Sequence, residues 1–482
     1  MTGEVHAPSR PSASGARLTG DDVQHLVAWY WCLKTTIPAS DVVAVRVEAD
    51  DAGNLDDVVV DMRKGRRLYH QVKAAVSARD PANVAWLRAV GARDGPSFLQ
   101  RLHASWVDLG RPPGDIVLIT SRPLDPNDLL LRGLDRLNHV GNHLRRAEGK
   151  LADLRRDLAS HLQCDQFEVC RFFDALAIHP GQTEAEWRRK VDDVAMGAGL
   201  RTDHAAHAAA LADVREWVKT TRDPRDGAAV AATIDRLGLR AEPPRAVVVI
   251  NGIDDKPPAD DAVMVLDWVA RFRGERPETR RGLVNPSDWN GALTDDLVAL
   301  RDRLRAQDLY RVLVRASLRL PGWFAVGAAL RDVAGFDIAM RYRGELWRGD
   351  AADAPRPDVR VLIDESTGSR PSVALVVAVS GDGTADVRST LGALPDVGRL
   401  LTITIANGPD RRLFSGSNEA MAAATAVRDW VRRCLAGHEL HLVLIGPAPF
   451  AFFLGHLWDR VPPTTVYEDL APGYEPAFRL RN

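Results

Sequence analysis

Two stretches of this chain repeat one another at an offset of 128 residues. Arg311-Val-Leu-Val-Arg is followed by Pro321-Gly-Trp-Phe-Ala-Val-Gly327, and Leu440-His-Leu-Val-Leu-Ile is followed by Pro449-Phe-Ala-Phe-Phe-Leu-Gly455. In each copy a helical stretch leads into a buried-type strand. A proline follows, with an aromatic close behind it and a glycine at the far end. The pattern reads as duplication of one strand–turn–helix unit. The alternative is that any such unit with a close-packed glycine looks alike. Around the repeat, Val247–Ile250, Ala262–Leu266, Val312–Val314, Val373–Val379, Leu400–Ile405 and Leu440–Ile445 read as strands. Helical stretches lie between most of them, so residues 245–482 are expected to form one α/β domain.

The first half reads differently. Residues 1–17 are rich in Ser, Pro and Gly and predict a disordered arm. A helix is expected to start near Thr19–Asp21 and to run through Val23, Leu26, Val27, Tyr30 and Trp31 to about Thr35. Strands follow at Asp41–Glu48, Asp57–Met62 and Leu68–Val76, the last two joined by a tight turn at Arg63-Lys64-Gly65-Arg66. A helix over Pro96–Leu109 and a buried strand over Ile116–Thr120 close a compact α/β unit, residues 18–125. Residues 126–240 have helical periodicity and are expected to extend that unit, with linker at Arg222–Ala228 and Ala241–Arg245.

Charge narrows what the chain can do. Lys+Arg 63 against Asp+Glu 65 gives a formal net charge of −2. Binding of nucleic acid by bulk charge is excluded, so any such contact must come from local clusters. No apolar run reaches the length of a membrane span, and the N-terminus lacks an apolar signal core. Cys32, Cys164, Cys170 and Cys434 form no CxxC pair, which argues against a disulfide framework or a structural zinc site. A cytoplasmic protein is expected. Lysine occurs only at Lys34, Lys64, Lys73, Lys150, Lys190, Lys219 and Lys256, and every other basic residue is arginine.

That bias draws attention to Gln71-Val72-Lys73. On a strand, Gln71 and Lys73 share one face and Val72 points the other way. A hairpin would bring Asp57 close to both, with Asp56 and Glu48 nearby. Such a set suits phosphodiester hydrolysis. A hard divalent cation takes oxygen ligands, here the Asp57 carboxylate and the Gln71 amide oxygen. Glu48 is a further ligand or orients water, and Lys73 polarises the attacking water and stabilises charge on the phosphorane. The competing reading is an exposed hairpin face with scattered polar residues, and Asp56 and Asp57 are alternatives for the same role.

The run Asp22-Val-Gln-His, Val-Arg-Val-Glu48, Leu-Asp-Asp57-Val-Val-Val and His-Gln71-Val-Lys73 resembles the PD-(D/E)xK nuclease superfamily. It is most similar to the Q-x-K branch of double-strand DNA endonucleases, in which an upstream helix carries a glutamine such as Gln24. The resemblance implies a restriction-endonuclease-like fold, a Mg2+ (or Mn2+) site, and an active set of Asp57, Gln71, Lys73 and Glu48. Gln in place of the usual Asp or Glu leaves an inactive nuclease open.

The second half resembles the SAVED domain, the cyclic-oligonucleotide sensor of bacterial anti-phage (CBASS) effectors. The resemblance covers roughly residues 258–482. It rests on Leu266-Asp-Trp268, Trp289, Ser317-Leu-Arg319-Leu, Trp347, Leu444-Ile-Gly-Pro-Ala-Pro449 and Val466-Tyr-Glu with Gly473-Tyr474. It implies two fused CARF-like, Rossmann-like halves, which suits the repeat. Ligands of open α/β sheets lie beyond the carboxyl ends of the strands. Gly446, Pro447, Ala448, Pro449 and Phe450 follow such a strand, and Arg319 and Trp323 hold the equivalent place in the first half. Backbone N–H groups and Arg319 would hold phosphate, and Trp323 and Phe450 would stack bases. Core packing for both rings and a surface ion pair for Arg319 are the plain alternatives.

The combined expectation is an anti-phage effector: a Mg2+-dependent endonuclease on double-stranded DNA, switched on by a cyclic tri- or tetranucleotide through self-association, with no membrane partner. A catalytically inactive sensor that recruits a partner is one alternative; a ligand-independent restriction-type nuclease is another. His139/His143 and His204/His207 lack the glutamate of a zinc hydrolase motif and are expected at the surface. Gly381-Asp-Gly383 lacks the third glycine of a dinucleotide loop. No P-loop and no G-x-S-x-G elbow is present. Arg145-Arg146, Arg155-Arg156 and Arg188-Arg189 could touch DNA phosphates, but they read first as solvated helix faces.

Overall fold

A computed structural model describes residues 13–75, 79–91, 95–254, 260–350, 354–366, 368, 370–390, 397–405, 408–410 and 414–480. The chain divides into two compact units, Met1–Pro244 and Arg245–Asn482.

The first unit contains, in chain order, α1 (Ala13–Lys34), β1 (Val42–Val47), β2 (Val58–Met62), β3 (Arg67–Lys73), α2 (Val84–Leu87), α3 (Phe98–Asp108), β4 (Ile116–Thr120), α4 (Gly141–Arg145), α5 (Lys150–Leu162), α6 (Gln166–Ala175), β5 (Leu176–His179), α7 (Glu184–Gly197), α8 (His204–Thr220), β6 (Arg225–Asp226) and α9 (Gly227–Arg236). The strands form one sheet in the order β5-β4-β3-β2-β1-β6. β1, β2 and β3 form an antiparallel meander, and β3, β4 and β5 run parallel.

Alternation along β3 decides which layer meets which face. Tyr69 packs with Val59, Leu102, Leu118 and Phe172 in a core that α3, α5 and α6 cover. His70 faces the other way, its ring 5.2 Å from that of Trp31 on α1. Tyr30 of α1 meets Trp187 of α7 edge-on. The sheet is therefore a middle layer with helices on both faces. Lys34, the last residue of α1, is buried, its ammonium lying over the Tyr30 and Trp31 rings.

Several boundaries differ from expectation. The arm expected over residues 1–17 falls mostly outside the described residues, but α1 already begins at Ala13, ahead of Thr19–Asp21. Ala13, Ala16, Arg17 and Leu18 are good helix formers that offset Gly15 and Gly20, so the helix runs past Thr19 without a cap there. Residues 126–240 are not wholly helical. Leu176–His179 adds a parallel edge to the sheet, and Arg225–Asp226, expected as linker, pairs with β1 before Asp226 caps α9.

The second unit contains β7 (Ala246–Asn251), β8 (Ala262–Asp267), α10 (Ala292–Ala306), β9 (Arg311–Ser317), α11 (Leu320–Ala329), β10 (Asp337–Tyr342), β11 (Glu345–Arg348), β12 (Val359–Ser366), β13 (Ser372–Ala378), α12 (Thr384–Thr390), β14 (Val397–Ile405), α13 (Ser417–Cys434), β15 (Leu440–Ile445), α14 (Ala448–His456), β16 (Thr464–Asp469) and β17 (Tyr474–Leu480). The sheets have the orders β11-β10-β9-β7-β8 and β12-β14-β13-β15-β16-β17. Aligning β9 with β15 matches five strands in the same spatial order. In both sheets four run parallel and the last of the five, β11 or β17, turns back antiparallel. β12 is the extra edge of the second half.

The repeated helices explain the repeated glycines. α11 and α14 cross so closely that a Cβ on Gly327 would overlap the Phe452 carbonyl, and one on Gly455 would overlap the Phe324 carbonyl. Residue 327 meets 452 while 455 meets 324, so the contact is reciprocal about a local two-fold. Phe452 and Phe324 are both fully buried beside this crossing, the former against Trp323 and the latter against Trp458. One core runs through both halves. Among the described residues no helix is long and apolar enough to cross a membrane.

Candidate functional sites

In the first unit the sheet brings one acid, one amide and one amine to the end of the β2–β3 ribbon. Asp57 directly precedes β2. Its Oδ2 accepts from Gln71 Nε2 and from the Val72 backbone N–H at 2.6 Å. The Asp57 carboxyl is buried, and desolvation pushes it up to about 6. The Lys73 ammonium, backbone hydrogen bonding from Val72, and the negative charges of Asp56 and Glu48 act on it as well, the first two lowering and the last two raising. Gln71 is buried and Lys73 is exposed on the same side of β3, the Lys73 Nζ lying 6.0 Å from the Phe98 ring centre. Val72 points into the opposite layer, as strand alternation requires.

Glu48 joins the cluster from the end of β1. Gln24 on α1 donates through Nε2 to Glu48 Oε1 at 2.6 Å and to the Asp57 carbonyl at 3.3 Å. Glu48 has φ of 49°, a left-handed conformation uncommon outside glycine. It is held there by its own N–H on the Asp57 carbonyl (3.4 Å) and by Gln24. Strain of this kind collects where a side chain must be aimed. Asp56, half-buried, is also pushed up, first by desolvation and then by Glu48. Asp57, not Asp56, carries the hydrogen bonds to Gln71 and Val72. Three carboxyl groups thus stand near a single ammonium.

In the second unit a cavity of about 380 Å³ opens where the two halves meet, beyond the carboxyl ends of β9, β13, β15 and β16. The first half contributes Arg281, Arg319, Leu320 and Pro321. The second half contributes the turns after β13 and β15, together with Tyr467, Glu468 and Asp469 at the end of β16 and Tyr474. Arg319 donates through Nε and Nη2 to the Arg280 carbonyl at 3.2 and 3.1 Å and through Nη2 to the Pro277 carbonyl at 3.3 Å. Arg281 lies 3.6 Å from Asp469.

The expected ligand set is only partly assembled here. Arg319 and Gly446 line the cavity. Trp323 and Phe450 do not: both are core, Trp323 edge-on to Phe452 and Phe450 stacked on Phe414. Buried in this way, neither ring offers a face on which a base could stack. Pro447, Ala448 and Pro449 are likewise outside the lining. Pro447 and Pro449 have no N–H to give, and the Phe450 N–H is spent on the Pro447 carbonyl at 3.1 Å, so this turn is a poor phosphate cradle. Trp268, Trp289 and Trp347 are also core. Sequence reading missed Arg281, Asp382, Asp386 and Glu468, and set aside Gly381 and Gly383, which do line the cavity. The Val466-Tyr-Glu and Gly473-Tyr474 motif was the available pointer.

Other clusters resolve simply. Arg145, Arg156, Arg188 and Arg189 pair with Asp174, Asp153, Glu184 and Glu186 on helix faces. His207, expected at the surface, is largely covered and bound to Asp192 at 2.6 Å. His103, Cys164 and Glu168 converge, a grouping that the cysteine spacing does not show. Arg111 already holds the Glu168 oxygen at 3.3 Å, placing a cation beside the spot a metal ion would take.

Residues 294–480 match the SMODS-associated and fused to various effectors sensor domain, SAVED. The chain is 25% identical over 498 residues to CD-NTase-associated protein 4 of Enterobacter hormaechei subsp. hoffmannii (strain UCI 50), covering 93% of this chain and 95% of that one. The Acinetobacter baumannii Cap4 SAVED/CARF-domain-containing receptor, solved with the cyclic trinucleotide 2′3′3′-cAAA, superposes with a TM-score of 0.46 at 13% identity, over 99% of this chain and 100% of that chain. The Moraxella osloensis Cap4 receptor superposes with a TM-score of 0.44 at 13% identity, over 97% and 100%.

Proposed function

We propose that this chain is a CBASS effector whose second unit senses a cyclic oligonucleotide and whose first unit is an endonuclease on double-stranded DNA. The match to the SAVED domain and the relationship to CD-NTase-associated protein 4 support the sensing half. The observation that carries the nuclease half is the Asp57–Gln71 pair with Lys73 on the same face and Glu48 held by Gln24.

The donor set fits a hard cation. Desolvation leaves the Asp57 carboxyl at about 6 even with Lys73 acting on it, and Asp56 and Glu48 push it the same way, so a bound cation would favour its ionised form. Asp57 and Gln71, through a carboxylate and an amide oxygen, would hold Mg2+ or Mn2+, with Glu48 beside them. When bound, such an ion supplies Lewis-acid stabilisation of a phosphate oxygen. Lys73 then presents an ammonium to the charge that builds on the phosphorane, and Glu48, fixed by Gln24, orients water or takes its proton. Water forms the new P–O bond and gives its proton to Glu48, the bond to the leaving deoxyribose oxygen breaks, and that oxygen takes a proton from solvent water.

In the sensor, Arg319 and Arg281 would meet phosphate groups of the ring. With a formal net charge of −2, a single copy would gain no attraction to DNA from its bulk charge. Ligand-driven self-association would place several nuclease units on one duplex and raise their effective concentration. The test is supercoiled plasmid incubated with Mg2+ and a panel of cyclic oligonucleotides. Wild type degrades it with one ligand, and Lys73→Ala does not. Absence of degradation with every ligand would favour a recruiting sensor, and degradation with no ligand would favour a restriction-type nuclease.

A further inference from the structure

The cavity between the two halves of the second unit holds more acid than a site for a polyanion calls for. Asp382, Asp386, Glu468 and Asp469 line it beside only Arg281 and Arg319. Two of these acids have visible employment. Asp382 caps α12, accepting from the Thr384 N–H at 2.9 Å and from its hydroxyl at 2.6 Å. Asp469 accepts from the Ala471 N–H at 2.8 Å and faces Arg281. Glu468 is different. It is 2% exposed, and its Oε2 has no hydrogen-bond partner. Directly across the ladder stands Glu475, whose Oε1 is also buried without a partner.

Given the reading that this cavity takes a cyclic oligonucleotide, we propose that Glu468 reads a base of that ligand, acting as a neutral carboxylic acid on the amino-bearing edge of adenine. The chemistry follows from charge and donor count. An ionised carboxylate buried beside ligand phosphates would repel them and offer acceptors only. A protonated one offers an O–H donor and a C=O acceptor. On its N6/N7 edge adenine presents the complement, an N6–H donor beside the N7 acceptor, where guanine presents two acceptors, O6 and N7. Burial favours the protonated form and pushes Glu468 up to about 8. The charges facing it are Arg319 from the turn after β9, Arg281 from the segment before α10, Asp469 on its own strand and Glu475 on β17. Tyr474 and Tyr467, pushed up to about 12 by burial, stay neutral in the range where Glu468 titrates.

The experiment is calorimetric titration of the full-length protein with cyclic triadenylate and cyclic triguanylate at pH 7 and pH 9, with melting temperatures recorded alongside. For cyclic triadenylate, wild-type affinity is expected to fall about tenfold across that interval as the binding-competent protonated fraction falls. Glu468→Gln keeps a donor beside an acceptor and is expected to bind it at both pH values with little change. Glu468→Met fills the same space without polar atoms and is expected to lose roughly ten- to a hundredfold. Unchanged binding by Glu468→Met, an identical pH profile in wild type and Glu468→Gln, or tighter binding of cyclic triguanylate than of cyclic triadenylate by wild type at pH 7 would each overturn the base-reading role alone. Failure of wild type to bind any cyclic oligonucleotide would overturn the sensing function as well.

Discussion

A single side chain, Asp57, shows how the proposed chemistry and stability oppose each other. Its buried carboxyl is costly to ionise, so Asp57→Asn is expected to abolish cleavage while raising the metal-free melting temperature by about 2–4 °C. A lower melting temperature would mean that Asp57 is a structural residue. Lys73 is exposed, so Lys73→Ala should remove activity and leave the melting temperature within about 1 °C. Glu468 gives a pH signature. Its pKa is raised from 4.5 to about 8 in the folded chain, so the folded state keeps a proton that the unfolded state has released. Its stabilising contribution is fully present below about 4.5 and is lost as pH rises through about 8. Glu468→Gln should therefore match wild type at pH 4 and melt higher at pH 8.5; an equal offset at both values would contradict this. Gln71 and Lys73 were legible because strand alternation alone puts them on one face. Trp323 and Phe450 were not, because an aromatic after a strand serves a core as readily as a ligand, and only the packing of α11 on α14 decides it.

Elements show where pattern suffices. Ile116–Thr120 and Leu440–Ile445 have the bounds that their apolar runs predict, since both are central strands covered on two faces. β5 was hidden because it continues directly from α6 without a turn residue. β12 was hidden because its exposed edge carries Arg, Asp and Glu in place of a continuous apolar run. The repeat was legible as glycine spacing, though its meaning, two helices crossing at backbone distance, needed the three-dimensional arrangement. Gly455→Leu should force α11 and α14 apart, costing on the order of 3 kcal/mol and lowering the melting temperature of the second unit by roughly 6–12 °C. Gly416→Ser is the control, since Gly416 precedes α13 with nothing within 4 Å of a built Cβ. Equal melting of the two variants would refute the close crossing.

Across the whole chain the two units divide the labour: one carries a cluster of acids around Lys73, the other a cavity at the meeting of two like halves. Neither unit's chemistry predicts that of the other; the sequence resemblances link them, and under the proposed function a net charge of −2 gives one copy no bulk attraction to DNA. Cleavage should therefore rise more steeply than in proportion to protein concentration, and should weaken sharply with added salt. The most direct measurement is the appearance of linear product from supercoiled plasmid with full-length protein and Mg2+ as cyclic triadenylate is titrated in. No linear product is expected without ligand, a saturable rise with it, and none at any dose for Asp57→Asn. Linear product that forms at the same rate without ligand, or that persists in Asp57→Asn, would contradict the proposed function.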